Sequence, residues 1–459
     1  MIVFALSLLG CNSSPATPEA LPPEVDDSYP EVSGVAAAED FDPATDVVEV
    51  HFTASKTEVD YIDAGPTPVW AYNGQVPGPL IHARVGDTLR VIFTNDLPDP
   101  TTIHWHGLRI ENEMDGVPIV QDPIQPGETF TYEFVLPDAG SFWYHPHVRS
   151  DEQVERGLYG PLVVHEAEDI PVDTDRYFVL DDVALRDNGR LYAFNLGGMD
   201  GMMGRQGNVL LANGQTELIE DTVQPGVVER WRIVNTANAR NMFADITGAD
   251  WRVVAIDGGI LEEPYQTDLL RLPIGRRFDL EVIPRADSSA ARLRIRLPAE
   301  IGYDSYPMFK ANIEGEPVTR EAPSWPAAPM DAIVPTTQTV DVDLDIGPGG
   351  MANTSWTING VTFDEGNPIP VVGKTPTLLN VRNLSGMGHP FHLHGQFFTV
   401  LSRNGDPEDV PGRLDTIFLE PFDELELFST FDNPGEWLGH CHILEHAELG
   451  MMTSFEVSE

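Results

Sequence analysis

Cysteine is almost absent from this chain of 459 residues, which holds only Cys11 and Cys441. At most one disulfide can form, and none if either thiol has another task. Lysine is nearly as scarce, with only Lys56, Lys310 and Lys374. Lys and Arg together number 27 against 73 Asp and Glu, a net charge of −46. Binding a phosphate backbone needs basic patches, so nucleic acid is excluded as a partner. Such an acidic, lysine-poor surface fits a GC-rich genome or salt adaptation, and it attracts cations. Beyond the N-terminus no stretch is long and apolar enough to span a membrane. Histidine is missing from the whole interval between His165 and His389. What is present is enough for substantial cores, since 41% of the residues are hydrophobic. Gly 40 and Pro 39 favour turn-rich β structure over helices. At ~100–200 residues per domain the length suggests about three domains.

The N-terminal run Leu8-Leu9-Gly10-Cys11 resembles the bacterial lipoprotein signal, whose Cys becomes the lipidated first residue of the mature chain. No Lys or Arg precedes the run, as one does in that signal. Residues 1–11 are therefore expected to be a signal segment, and 12–46, rich in Pro, Ala, Glu and Asp, a solvated tether. This places the protein outside the cytoplasm, in the periplasm or cell envelope. The membrane is a partner only through a lipid on Cys11. Cys441 then has no disulfide partner within the chain, and metal ligation is the obvious use for it.

The sequence repeats. Asn73-Gly74, Asn213-Gly214 and Asn359-Gly360 each open a similar stretch, which closes on Asn95, Asn235 and Asn383. Between these markers "LRVIFTN", "VERWRIVN" and "PTLLNVRN" alternate apolar and polar residues at period two, the pattern of strands. The expected architecture is all-β: three antiparallel β-sandwich domains, at 47–168, 173–318 and 335–459. His104 stands at the same step beyond Asn95 as His392 does beyond Asn383, and the same step from Asn235 reaches Ala244. Two residues further on stand His106, His394 and Ile246. The outer units carry equivalent sites, and the middle unit reads as a spacer without ligands.

Four His-x-His pairs follow from this: His104 and His106, His145 and His147, His392 and His394, His440 and His442. On a strand, residues two apart face the same way, so each pair aims two imidazoles together. If the outer units pack face to face, eight imidazoles meet. That is too many for one ion and implies a metal cluster. Cys441 points opposite to His440 and His442. With His446, Met451 and one more imidazole, which His389 in "GHPFHLHG" can supply, it makes a His₂Cys set with a weak axial Met. That is the ligand set of a blue-copper electron-transfer centre. Electrons arriving there have a short bonded route through Cys441 into the cluster. Unit one has Pro146 where unit three has Cys441, and Thr101 where unit three has His389, so it lacks this second centre.

The set "HWHG", "HPH", "HPFHLHG" and "HCHILEHAELGMM" resembles the multicopper oxidases, and among them the three-domain, laccase-like bacterial enzymes. The resemblance covers most of the chain after about residue 48. It implies three tandem cupredoxin-like Greek-key β-sandwich domains and four copper ions. The type 1 copper falls to His389, Cys441, His446 and axial Met451. The type 2 copper falls to His104 and His392. The type 3 pair falls to His106, His145, His147, His394, His440 and His442. The implied reaction is one-electron oxidation of a small-molecule or metal-ion donor, coupled to reduction of O₂ to two waters. The donor is expected to dock at an exposed edge of His389 or His446. Asp115, in "MDGVP", is the expected proton donor, against its alternative use as a turn-forming Asp before Gly. Some relatives carry an acid directly after the second type 1 histidine; here it is Ala447, and Glu445 and Glu448 have no clear role. Met199, Met202 and Met203 form either a cuprous-ion site or a packing loop. His51, His82 and His165 have no repeat partners and read as surface or structural. The substrate alternatives are phenols or aromatic amines, or Cu(I), Fe(II) or Mn(II), with a non-catalytic copper-binding cupredoxin as the remaining class.

Overall fold

A computed structural model describes residues 35–299, 302–348, 354–363, 367–408 and 410–459. Cys11, the signal segment and most of the tether lie outside the described residues. No helix among the described residues is long and apolar enough to cross a membrane. Among the described residues strands dominate, in six sheets that fall along the chain into three pairs: two of four strands, then six and five, then six and five again. The architecture is a succession of cupredoxin-like β-sandwiches.

The repeat has a structural reason. Asn73, Asn213 and Asn359 all sit at positive φ (50°, 51° and 54°), where Asn is tolerated better than most side chains. Each reaches back onto the first strand of its own unit. Asn73 Oδ1 accepts the Thr53 N–H at 2.7 Å, and its Nδ2 donates to the His51 carbonyl at 2.8 Å. Asn213 does the same to Val179 and Tyr177, and Asn359 to Asp343 and Asp341. The closing asparagines are buried staples across the next loop. Asn95 Nδ2 donates to Asp99 and Ile124, Asn235 Nδ2 to Arg240 and Leu272, and Asn383 Nδ2 to Met387 and Glu420. Each such bond contributes about 1 kcal/mol net, and leaving the buried partners unpaired costs more.

The sheets are not purely antiparallel. In every unit the first strand pairs antiparallel with the second and parallel with a later one: Val47–Val59 with Thr88–Asn95, Thr174–Val183 with Glu229–Asn235, Gln338–Ile346 with Thr377–Asn383. A chain that crosses between the two sheets of a sandwich brings strands from separate parts of the sequence side by side.

Alternation of burial is clean in the outer units, at Thr88–Asn95 and Thr377–Asn383. The middle equivalent, Glu229–Asn235, is buried at every position. Its polar side, Arg230 and Arg232, faces neighbouring acids rather than water. Arg230 reaches Asp279 and Glu166, and Arg232 reaches Asp175. One hydrophobic core runs continuously through the second and third sandwiches, and a separate cluster joins the first to the second around Val69, Trp143, Tyr177 and Val179. The first and third units also touch directly: Asn112 Nδ2 donates to the Glu436 carbonyl at 2.7 Å, and Asn433 Nδ2 to the Ile110 carbonyl at 2.9 Å.

Burial also creates a pH response. On strand Thr174–Val183, burial and then the charge of Asp182 push the Asp181 carboxyl up to about 7. An unfolded Asp titrates near ~3.9, so the folded state holds the extra proton between the two values. The stability this proton contributes is fully present below about pH 4 and is lost as pH rises through about 7. Asp181→Asn should therefore raise the melting temperature at pH 8 and change it little at pH 4. The expected gain at pH 8 is on the order of a few kcal/mol. Equal effects at both pH values in a thermal melt would contradict this.

Candidate metal centre

The strand His104–His106 pairs antiparallel with Gly140–His145, which sets His104 opposite His145. In the third unit the strand His389–Leu393 pairs with Gly435–Cys441, which sets His392 opposite His440 and Phe391 opposite Cys441. The two sets interleave. The rings of His104 and His394 stack at 3.9 Å between centroids, and those of His106 and His392 at 3.8 Å. His394 Nε2 lies 3.0 Å from His440 Nε2, and His106 Nδ1 lies 3.2 Å from His442 Nε2. His147 closes the group, 4.9 Å from both His104 and His394 and 5.1 Å from His440 between ring centres. All eight imidazoles thus share one buried place built from the first and third units.

The nitrogens are prepared to bind metal. The Nδ1 atoms of His104, His145, His392 and His440 lie 2.9–3.1 Å from the carbonyls of Asp115, Pro146, Asp415 and Cys441. A carbonyl only accepts, so these Nδ1 atoms carry the hydrogen and Nε2 keeps its lone pair. Nε2 of His104, His145, His147 and His392, and Nδ1 of His442, are buried with no hydrogen-bond partner. Burial, and then the neighbouring imidazoles, hold His106, His147, His394 and His442 well below the usual histidine range. His440 is pushed down to about 3 by burial and then by His392. Neutral imidazole is the ligating form. Nitrogens 3.0–3.2 Å apart also match the bite of a tetrahedral ion, which at ~2.0–2.1 Å per bond is about 3.3 Å.

The second centre lies beside it. Cys441 Sγ is 3.5 Å from His389 Nδ1 and 3.8 Å from His446 Nδ1, and those two nitrogens are 3.2 Å apart. Met451 is fully buried; its N–H donates to the His446 carbonyl and its carbonyl accepts the Cys441 N–H. Burial pushes the Cys441 thiol up, so a bound cation is what would make it a thiolate. Trp356 packs its ring 4.1 Å from His446.

The expectation of an exposed imidazole edge is not met. His389 and His446 are both fully buried. The outer nitrogen of His389 meets Ser385 Oγ at 2.8 Å, and that of His446 donates to the Met202 carbonyl at 3.2 Å. Ser385, just ahead of the strand His389–Leu393, and the backbone of Met202, in the short helix Met199–Met203 of the middle unit, cover what the strand pattern alone left open.

Asp115 lies against the cluster. Its Oδ2 is 2.8 Å from His394 Nδ1, and its Oδ1, 3.2 Å from His104 Nδ1, has no hydrogen-bond partner. Ala447 is buried, Glu445 meets Asn238 at 3.1 Å, and Glu448 accepts from the backbone and hydroxyl of Ser150. His82 and His165 meet each other at 3.0 Å, and His51 meets Glu49. Asp415 was not legible in the sequence. It sits 3.3 Å from His106 Nε2, between an Arg from the second unit and two cluster histidines, just ahead of the strand Thr416–Leu419, which holds no histidine. Burial raises a carboxyl, but the Arg277 charge and hydrogen bonds outweigh it and hold Asp415 well below the usual range.

Family models described as multicopper oxidase match residues 53–169, 186–289 and 335–459. The chain is 31% identical to the multicopper oxidase MmcO of Mycobacterium tuberculosis, over 84% of this chain and 82% of that one. It is 30% identical to Laccase-1 of Botryotinia fuckeliana, over 86% and 80%. Its fold superposes on a Campylobacter jejuni multicopper oxidase, described as a metallo-oxidase, with a TM-score of 0.81 at 27% identity, covering 93% and 94% of the two chains. Two buried donor sets, one of imidazoles and one of His₂Cys, joined through Cys441 and matched along most of the sequence, make this chain a member of the multicopper oxidase family.

Proposed function

We propose that the protein oxidises phenols or aromatic amines one electron at a time and reduces O₂ to water, in the manner of a laccase. The observation that carries the redox reading is the peptide His440-Cys441-His442: its thiol belongs to one donor set and its two imidazoles to the other. The type 1 set is His389, Cys441, His446 and Met451. The type 2 set is His104 and His392, and the type 3 set is His106, His145, His147, His394, His440 and His442. Copper held there supplies one-electron storage at the thiolate centre and the four-electron reduction of O₂ at the cluster. Asp115, against both His104 and His394, is placed to hold a proton for that reduction.

The cover over each type 1 imidazole separates the substrate classes. Outside His389 the hydroxyl of Ser385 meets Nε2, and near it stand exposed Leu384 and Phe422, 71% exposed and held at φ 66° beside Gly386. Apolar surface over a hydroxyl suits a planar aromatic donor. Outside His446 lies the short helix Met199–Met203, whose Met199 and Met203 are exposed. Exposed thioethers favour the second reading, a metallo-oxidase for Cu(I), Fe(II) or Mn(II).

Oxygen uptake by copper-loaded protein, read as kcat/KM for phenols and for reduced metals side by side, tests the choice. A ratio favouring phenols by about tenfold or more, roughly 1.4 kcal/mol of transition-state preference, is expected. A ratio of that size favouring Cu(I) would establish the second reading. No uptake with any donor would leave a copper-binding protein without turnover.

A further inference from the structure

The middle unit has no histidine, yet it forms one wall of the cluster. Gly275, at φ 81°, packs so closely that a Cβ there would lie 3.1 Å from His106 Cε1 and 3.2 Å from His442 Cδ2. Two residues on, Arg277 is fully buried and spends its whole guanidinium on this region. Nη1 donates to Asp415 Oδ1 at 2.8 Å, and Nη2 to Asp415 Oδ2 at 2.5 Å. Nε donates to the Ser141 carbonyl at 3.0 Å, Nη1 also to the Gly275 carbonyl at 3.1 Å, and Nη2 to the Asp257 carbonyl at 3.2 Å. One side chain therefore ties all three units together at the cluster.

The held carboxylate reaches one histidine from each outer unit. Asp415 Oδ1 lies 3.3 Å from His106 Nε2 and 3.5 Å from His392 Nδ1, and accepts the Thr416 hydroxyl at 2.8 Å. The Asp415 carbonyl takes the His392 Nδ1 hydrogen at 2.9 Å. His106 differs from its neighbours. Its Nδ1, not Nε2, faces another cluster imidazole, His442, so its Nε2–H must find an acceptor on the far side. Two acceptors stand there, Asp415 Oδ1 at 3.3 Å and the Thr416 hydroxyl at 3.4 Å, and that hydroxyl itself donates to Asp415 Oδ1. Room for the pair comes from Gly107, the last residue of "HWHG": any Cβ there would collide with Arg277 Nη2.

We propose that Arg277 is a positioning residue for the copper cluster, fixing the tautomer and orientation of His106 and the seat of His392 by holding both oxygens of Asp415. This rests on the copper assignment of those two histidines. The paired fork is what Arg provides and Lys cannot: two parallel bonds that set the plane of the carboxylate. Partners of ligating histidines typically govern metal affinity by about 10–100-fold.

The test uses full-length, copper-loaded protein. Arg277→Gln should keep the blue absorption and the type 1 signal in electron paramagnetic resonance. It should lose the type 2 signal and release cluster copper to a chelator at about 10–100-fold lower chelator concentration. Arg277→Lys should fall between. Arg230→Gln is the control: it removes an equally buried Arg that pairs Asp279 and Glu166 and does not touch Asp415. It should lower the melting temperature yet keep the type 2 signal. Should Arg277→Gln fail to fold, Asp415→Asn, of the same volume, is expected to show the same loss. An unaltered type 2 signal in Arg277→Gln or in Asp415→Asn overturns the proposal, and so does an equal loss in Arg230→Gln. A wild-type protein with no type 2 signal would instead overturn the copper assignment beneath it.

Discussion

Cys441→Ser should abolish the intense blue absorption and bring oxygen uptake to background with every donor. The sulfur is the soft member of its donor set, a thiolate only once metal is bound, at 3.5 Å and 3.8 Å from two imidazole nitrogens. A hydroxyl is a hard donor that does not ionise in such a site, so the thiolate-to-copper transition is lost. Cys441 is peptide-bonded to both His440 and His442, so the sulfur is where the bonded route into the cluster begins. The expected loss of turnover is on the order of 10³-fold or more, as when one member of a coupled catalytic unit is removed. The fold should survive, because serine is slightly smaller and the Ile443 N–H that points at Sγ, 3.4 Å away, can reach an oxygen instead. Visible absorption and oxygen-electrode rates on equally copper-loaded samples check this. Retained colour and turnover would mean that the mononuclear centre lies elsewhere.

His104→Ala should do the opposite to the colour and the same to the rate. His104 stands in the eight-imidazole group, stacked on His394, and touches none of His389, Cys441 or His446. Its unpaired Nε2 is one of the two assigned to the type 2 ion. Removing it leaves the thiolate centre intact. The resting protein should stay blue, and a donor should bleach it as fast as it bleaches wild type. Air should then fail to restore the colour, and steady oxygen uptake should drop by about 10³-fold or more. A colourless resting variant with normal turnover would refute the division into two centres.

Much of the site was legible because strand geometry is local. Two residues apart on a strand means one face, so each His-x-His pair announced its own direction, and Cys441 announced the opposite one. The Asn-Gly markers revealed the repeat because each pins a turn at positive φ that few residues tolerate. The cover over His389 and His446 was not legible. It depends on Ser385 and on the Met202 carbonyl, and a backbone carbonyl leaves no trace in the residue type. Asp415 and Arg277 were hidden for a different reason. An acid and an arginine in a chain with 73 acidic and 27 basic residues carry no signal until their partners are known.

The sequence by itself determined the all-β repeat, the two kinds of donor set and the thiolate bridge between them, because period and spacing act over a few residues. Only the tertiary structure decided that the histidine-free middle unit walls the cluster, that Arg277 clamps Asp415 there, and that both thiolate-side imidazoles lie under cover. The wall, the clamp and the cover over His446 come from packing between segments more than a hundred residues apart, where contact depends on how three sandwiches close on one another; the cover over His389 is local, since Ser385 stands four residues before it.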